Sequence, residues 1–415
     1  MERKSVITSV LFQREFLSVL IIVVNAFSWY FPLYIFFGNV LRDFQMGSGF
    51  LEVALGVQFA GAVGFAIIGT TLVKRFLSRD SLLAIWIFIG IIASLLMVTL
   101  ETFSMECVLL VSFLLGTSLG FGFPSCLAYF GDNTNVENRG LLGGITFFAS
   151  GLSILIVGLT LSFTTSILVA ALILAAWRGI GLISFLLAKR KHDHQKETVI
   201  EISYKSVLQD RSFLLYMLPW TMFCLINFLE VPIVFDFFGD EISAYMPIVE
   251  FGIGGFVALV GGWFADSVGR KRIIIIGFIS LGIGFAVLGL FQDIILFWYL
   301  HIILDGIAWG IFSLMFYLVI WSELAGKRTK EKYYLFGVLP FLIASYIQVL
   351  FTPFAKEVPF SAAFSLASFF LFIVVLPLLY APETMPEKKM ELRRLRSFAE
   401  DARKAKEKYE RKTGK

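Results

Sequence analysis

Charge is what this sequence has least of. Asp, Glu, Lys and Arg make up 16% of its 415 residues, against roughly 25% in an ordinary soluble domain. In their place stand apolar residues, 58% of the chain with 46 Phe among them, at a mean hydropathy of +0.83. A soluble fold with that balance could not cover its own apolar surface, so the composition points to an integral membrane protein. Cysteine is also scarce. Cys107, Cys126 and Cys224 all fall inside apolar runs without metal-ligand spacing, which excludes a disulfide framework and a cysteine metal site. Two of the three histidines, His192 and His194, lie in a polar stretch, and only His301 lies in an apolar one. No Walker-type loop and no HExxH is present, so ATP-driven pumping and metalloproteolysis have no support. Gly116-Thr117-Ser118-Leu119-Gly120 matches G-x-S-x-G. A nucleophile elbow needs a strand–turn–helix and a His within reach, and this run has neither, so it reads as small-residue helix packing. The expectation is a protein that is not an enzyme, uses no cofactor or metal and binds no nucleic acid.

A bilayer core of ~30 Å needs about 20 apolar residues in a helix. Twelve runs qualify: 16–38, 49–72, 81–100, 106–130, 140–162, 166–188, 212–237, 244–264, 273–290, 294–321, 333–353 and 360–380. They are too long and too evenly apolar for the alternation of a barrel. The first follows a basic N-terminus, but its length and the lack of a small-residue cleavage site make it a retained helix. With the N-terminus placed in the cytoplasm, 32 of the 35 Lys and Arg fall on the cytoplasmic side and two, Arg42 and Lys356, on the outer side. That asymmetry places both termini inside.

The polar stretch 189–211 divides the runs six and six. This predicts an N-terminal bundle (1–188), a cytoplasmic linker (189–211), a C-terminal bundle (212–382) and a charged tail (383–415). In the tail, Leu392, Leu395, Ala399 and Ala402 form an apolar stripe suited either to a membrane surface or to a solvated helix. The halves echo each other. Gly116 and Gly120 in the fourth run match Gly306 and Gly310 in the tenth at an offset of 190 residues, and an acid follows each, Asp132 and Glu323.

Between the eighth and ninth runs lies GGWFADSVGRKR (residues 261–272). Gly262-xxx-Asp266-xx-Gly269-Arg270-Lys271 resembles the signature loop of the major facilitator superfamily, G-xxx-D-R-x-G-R-R, with Ser267 at the place of the usual cation. The equivalent loop of the first half keeps only Lys74 and Arg75, with Val73 where the acid belongs. Glu137-Asn138-Arg139-Gly140 resembles the family's acidic/Arg-Gly turn, and Pro382-Glu383-Thr384 its sugar-porter and organic-acid-porter exit motif. The resemblance implies an all-α membrane protein of twelve transmembrane helices in two pseudo-symmetric six-helix bundles, working by alternating access. It also implies a gating role for Gly262, Asp266, Gly269, Arg270, Lys271, Lys74, Arg75 and Arg139. Gly262 lets two helix ends approach, and Asp266 can face the positive N-terminus of a neighbouring helix.

Ionisable groups at bilayer depth mark functional candidates. Asp305 is ~15 Å from the outer end of its run at 1.5 Å per residue, with His301 four residues before and Trp309 four after, on one face. A desolvated carboxyl there can carry a proton, which makes Asp305, His301 and Glu230 the proton-coupling candidates. Trp220, Asn227 and Glu230 share a face of the seventh run, which Pro232 is expected to break. Glu250 sits at similar depth on the eighth. Arg178, central in the sixth, needs an acidic partner or an anionic ligand. Asn25 and Trp29 face one way on the first run, which lacks a central acid, and Gln58 and Gln348 are either cavity hydrogen-bonders or helix–helix bonds. The candidate substrate contacts are thus Asn25, Trp29, Gln58, Arg178, Trp220, Asn227, Glu250, Trp309 and Gln348. The expectation is a monomeric, multi-pass transporter of the cell membrane, embedded in the lipid bilayer and moving a small polar solute, sugar or organic acid, with protons as the coupling ion. Two alternatives stay open: an efflux antiporter of the same superfamily, against which the absence of Pro in the fifth run counts, and a non-transporting nutrient sensor.

Overall fold

The computed structural model describes residues 14–44, 49–73, 76–102, 104–188, 199–243 and 246–385, with scattered positions between 391 and 403. Twelve helices are long and apolar enough to cross a membrane: α1 (Phe16–Asp43), α2 (Phe50–Leu72), α3 (Arg79–Thr102), α4 (Met105–Asp132), α5 (Arg139–Ser162), α6 (Ile167–Ala188), α7 (Arg211–Gly239), α8 (Glu250–Val268), α9 (Arg270–Leu290), α10 (Ile295–Ala325), α11 (Lys330–Glu357) and α12 (Phe360–Tyr380). They fall on the twelve apolar runs of the sequence. The described residues contain no strand, only the isolated bridges Val73–Leu77 and Ile200–Arg328.

Outward helix faces carry large apolar side chains, and the closest helix contacts are made at small residues. On α5, Leu152, Ile156 and Leu159 are exposed while Gly140, Gly144 and Gly151 face α8. Without a hydrophobic drive between helices in lipid, close backbone contact supplies the packing energy. A Cβ on Gly116 or Gly120 would strike the carbonyls of Gln58 and Ala62 on α2. A Cβ on Gly310 would strike the Gly254 carbonyl of α8, and one on Gly306 would lie 3.0 Å from Ile253. The matched glycines therefore pack the same pair of helices, the second and the fourth, in each half.

Two helices bend from regular geometry at matching places. α4 is interrupted at Phe121–Gly122 and resumes with Pro124 in its first turn. α10 is wound as a π-helix over Ser313–Val319, a departure that tends to occur at functional positions. The break expected at Pro232 is not found. α7 runs through Pro219 and Pro232, and its non-helical residue is Gly239 with φ 77°. A proline costs one backbone bond, which a packed membrane helix tolerates, whereas a positive φ is open to glycine at little cost.

Part of the stretch expected as the cytoplasmic linker is folded. Residues 189–198 lie outside the described residues, but 199–210 dock on the start of α11. Ile200 N donates to Lys327 O (3.0 Å) and Thr329 N to Ile200 O (3.1 Å). Lys332 Nζ bonds Glu201 (2.5 Å), and Asp210 holds Arg328 (3.0 Å) and the Tyr333 hydroxyl (2.9 Å). The short helix Tyr204–Leu208 lies between these contacts. Of the tail, Glu383, Thr384 and Met385 belong to the folded body, with Met385 buried. Of the expected tail stripe, Leu395, Ala399 and Ala402 are exposed, and Leu392 lies outside the described residues.

Candidate functional site

The second half gathers its intramembrane polar groups at one point. Asn227 on α7 donates to Asp305 Oδ1 on α10 (2.9 Å) and to Glu230 Oε1 one turn along its own helix (3.1 Å). Glu250 on α8 lies beside the residue that follows Asp305 on α10, since a Cβ on Gly306 would sit 3.6 Å from the Glu250 Cα. His301 Nε2 is 3.6 Å from Glu230 Oε2. Asn227, Glu230, His301 and Asp305 are buried. One oxygen of each carboxyl, Glu230 Oε2, Glu250 Oε1 and Asp305 Oδ2, is buried without a hydrogen-bond partner, as is Trp309 Nε1. Aromatic rings enclose the group. His301 packs between Trp298 (5.6 Å), Phe285 (5.0 Å) and Phe364 (5.7 Å), and Trp309 meets Phe223 edge to face (4.9 Å). Asp305, His301, Glu230, Asn227, Glu250 and Trp309 are thus brought into one neighbourhood. Among the described residues, no group of three or more His, Cys, Asp or Glu is arranged to hold a metal ion.

Trp220 does not join them. Its indole donates to Gly337 O of α11 (2.7 Å) and its ring stacks on Phe316 (4.9 Å), so it pins α7 to α10 and α11. The spacing i, i+7 puts it on the same face as Asn227, but two turns are ~11 Å along the axis.

The first half has a separate cluster. Arg178 donates to Asn25 Oδ1 (2.8 Å), and Asn25 Nδ2 donates to Trp177 O (2.9 Å). The guanidinium lies over Trp29 (4.8 Å) and Trp86 (4.4 Å), while Trp29 donates to Ser94 (2.9 Å). Of the two expected partners for Arg178, an acid or an anionic ligand, no acid is paired with it among the described residues. Two indole faces and one amide hold the charge instead, a cation–π arrangement that desolvation strengthens. Its Nε and Nη2 are buried without a partner.

Between the halves the centre of the molecule is nearly closed. One cavity of about 10 Å³ is bounded by Phe27, Tyr30, Phe31, Tyr317 and Phe341. Another, of about 20 Å³, is bounded by Tyr30, Tyr34, Gln58, Phe59 and Tyr346. Each has room for about one water. Gln58 lines the second, with its Nε2 unpartnered. Gln348 is half-buried on α11 and lines neither. The aromatic lining was not legible in the sequence, because with 46 Phe no single one stands out.

The charged end closes differently. Asp266 at the end of α8 accepts from the amides of Gly140 (3.0 Å) and Leu141 (2.8 Å), the first turn of α5 in the other half. There α5 and α8 touch backbone to backbone, since a Cβ on Gly262 would land on the Gly140 carbonyl. Arg270 bonds Asp266 (2.5 Å), Glu323 (3.2 Å) and Val136 O (2.8 Å). Arg139 is buried against Thr134 and the Gly131 carbonyl and comes within 3.7 Å of Glu323. Gly269 takes φ 114°, which a side chain would strain. Glu383 accepts from the amides of Arg270 (2.9 Å) and Lys271 (3.2 Å), and Thr384 donates to Glu323 (2.5 Å), so the exit motif meets the signature loop. Two further links cross the halves: Arg79 with Glu331, and Asp132 with Lys330. Lys74 and Arg75 lie outside the described residues. Asp132, Glu323, Arg79, Lys330 and Glu331 were not named as gating candidates. The only signal for them was the pair of acids following the matched glycines.

The family model of the Major Facilitator Superfamily matches residues 18–329. No curated protein matches the sequence. The fold is similar to that of the proton:xylose symporter XylE bound to 6-bromo-6-deoxy-D-glucose, at 15% identity, with 93% of this chain and 99% of that chain covered and a TM-score of 0.68. It is similar to FucP in its outward conformation, at 11% identity, 89% and 100% coverage and a TM-score of 0.65. It is also similar to the human organic anion transporter MFSD10 (TETRAN), at 13% identity, 88% and 98% coverage and a TM-score of 0.65. The family match spans most of the chain, the twelve helices and their packing agree with it, and the chain belongs to the Major Facilitator Superfamily as a multi-pass membrane transporter, not an enzyme.

Proposed function

We propose that this protein is a secondary transporter that moves a small solute by alternating access, coupled to protons, with the charged end facing the cytoplasm. The observation that carries this is the buried bridge that Asn227 makes from Asp305 to Glu230, with His301 3.6 Å from Glu230. Carboxyls gathered in a desolvated site with no Lys or Arg paired to them take up protons. A proton held at mid-membrane depth, beside the closed centre between the halves, is what a coupling site needs. The inter-half contacts at the charged end give the second element, a gate that closes in one state. The pattern of 32 cations against two supports the cytoplasmic assignment of that end.

The substrate guess drawn from sequence was a sugar or an organic acid. Three carboxyls with no facing Lys or Arg repel an organic anion, so within that guess the site favours the neutral solute. The efflux alternative gains from the same observation, because the cluster can exchange a proton for a solute. The test is pH-driven solute movement in proteoliposomes across a panel of sugars, organic acids and amines. Movement is expected to follow the imposed proton gradient and to lose that dependence in Asp305→Asn. Transport with its proton dependence intact in that variant refutes the assignment.

A further inference from the structure

We infer that the solute this site takes is an organic cation, an amine with an apolar or aromatic body, seated among Glu230, Glu250 and Asp305 by displacing the proton they hold. The inference rests on the transporter reading above and replaces its substrate guess. Three observations carry it. The first is the balance of hydrogen-bonding groups. Three helices each present one buried, unpartnered carboxyl oxygen, Glu230 Oε2 from α7, Glu250 Oε1 from α8 and Asp305 Oδ2 from α10. An ammonium group brings three donors and a positive charge to such a set, whereas an anion brings neither.

The second is the charge around the cluster. The groups facing Asp305 are Asn227 and Glu230 from α7, Glu250 from α8 and His301 from its own helix. Against His301, α9 and α12 present Phe285 and Phe364, and α11 presents Phe341 toward Phe228. No Lys or Arg among the described residues is paired with any of these carboxyls. The His301 Nε2 is fully buried, aimed at Glu230 at 3.6 Å and not hydrogen-bonded. His301 is not an acid, so it points to the site independently of the carboxyls. Carboxylates in lipid without a cation must take up protons or a cationic ligand.

The third is the wall between the cluster and the central cavity. Phe31 lines the cavity and packs on Phe251, the neighbour of Glu250, at 5.3 Å. Phe341 lines it too and packs on Phe228 at 5.1 Å, and Phe228 meets Trp309 at 6.5 Å. A solute moving from the cavity to the carboxyls passes ring faces that attract a cation and bury an apolar body.

The test uses the full-length protein in lipid nanodiscs, with phenethylamine as the cationic probe and phenethyl alcohol as its neutral counterpart. Isothermal titration in two buffers of different ionisation heat is expected to show amine binding at least about tenfold tighter than alcohol binding, with protons released as the amine binds. Asp305→Asn and Glu230→Gln are each expected to weaken the amine about tenfold or more and leave the alcohol unchanged. Alcohol binding as tight as amine binding, or amine binding without proton release, overturns the inference. The proton count is measured on the unaltered protein, so a misfolded variant does not remove the test. A proton-driven flux of xylose without amine binding would overturn this inference and leave the transporter reading standing. Amine binding with proton release but no pH-driven amine flux overturns the coupling reading and leaves the cation site standing.

Discussion

Adding one methyl group at Gly262 should open the charged end of the molecule. The Cβ of an alanine there would land on the carbonyl of Gly140 and 2.8 Å from its carbonyl carbon, both backbone atoms of α5 in the other half. Backbone cannot rotate away as a side chain can, so α8 must retreat from α5, and Asp266 must retreat with it from the amides of Gly140 and Leu141. Overpacking of this kind costs ~1–3 kcal/mol. The cost falls only on the state in which the two helices touch, so the ratio of closed to open molecules at this end should drop about 5- to 150-fold, at 1.4 kcal/mol for each factor of ten. Gly158→Ala is the control. It sits on α5, the other helix of the contact, with nothing within 4 Å of its Cβ, and it brings the same gain in helix propensity, ~1 kcal/mol. Spin labels at the exposed positions Asn135 and Arg272, in a cysteine-depleted background, report the separation of the halves by pulsed electron resonance. Gly262→Ala should shift the distance distribution to longer values, and Gly158→Ala should leave it in place. Identical distributions for Gly262→Ala and the unaltered protein would falsify the idea that the α5–α8 contact holds this end shut.

Other perturbations separate the remaining contacts. Asp266→Asn keeps an acceptor for the α5 amides but loses the charge shared with Arg270. It should lower thermal stability by ~1–2 kcal/mol, and an unchanged melting temperature counts against the cap. Arg178→Met should melt within a few degrees of the unaltered protein, because removing a buried charge that has no carboxylate partner relieves its desolvation and offsets the lost indole and Asn25 contacts. Asn25→Leu strands the Arg178 head group and should cost ~1–3 kcal/mol, and the reverse order of stabilities sinks the reading. Asp210 is held below the usual carboxylate range. Burial pushes it up, but hydrogen bonds from Tyr333 and Arg328 and the Arg328 charge pull it down further. A depressed carboxyl contributes its stability above the unfolded value, ~3.9, and loses it as pH falls through the folded one. Docking of residues 199–210 should therefore be constant from pH 8 down to about 5 and weaken only below ~4. Hydrogen exchange of that segment checks this, and Asp210→Asn should raise its exchange already at pH 7.

The spans were legible because bilayer thickness sets a length that a run of apolar residues either meets or does not. The signature loop was legible because its glycines and acid are sparse and their spacing is rare. The acid cluster was legible only as separate depths. Asp305, Glu230 and Glu250 lie on three helices, and nothing in one sequence states that those faces converge. Arg178 shows a different limit. Charge arithmetic asks for a carboxylate or an anionic ligand, but the side chains around Arg178 are Trp29, Trp86 and Asn25, and the attraction of an indole face for a cation leaves no pattern along the chain. Pro232 was read as a break because its chemistry removes a bond, whereas the conformational freedom that bends the chain belongs to Gly239. The docked linker was hidden for the same reason as the cluster. Glu201 and Asp210 look like ordinary loop acids until the start of α11 is placed beside them.

Glu383 has a practical consequence for anyone shortening this protein. The last membrane helix ends at Tyr380, and a cut placed there looks safe by hydropathy. Such a cut would strip the first turn of α9 of the carboxylate that both its leading amides use, and would take from Glu323 its Thr384 hydroxyl. It would also remove Pro382 O, the acceptor for Tyr216 on α7. The folded body thus extends at least to Met385, five residues beyond the last helix, and affinity tags, fusion partners and crystallisation truncations belong on the far side of it.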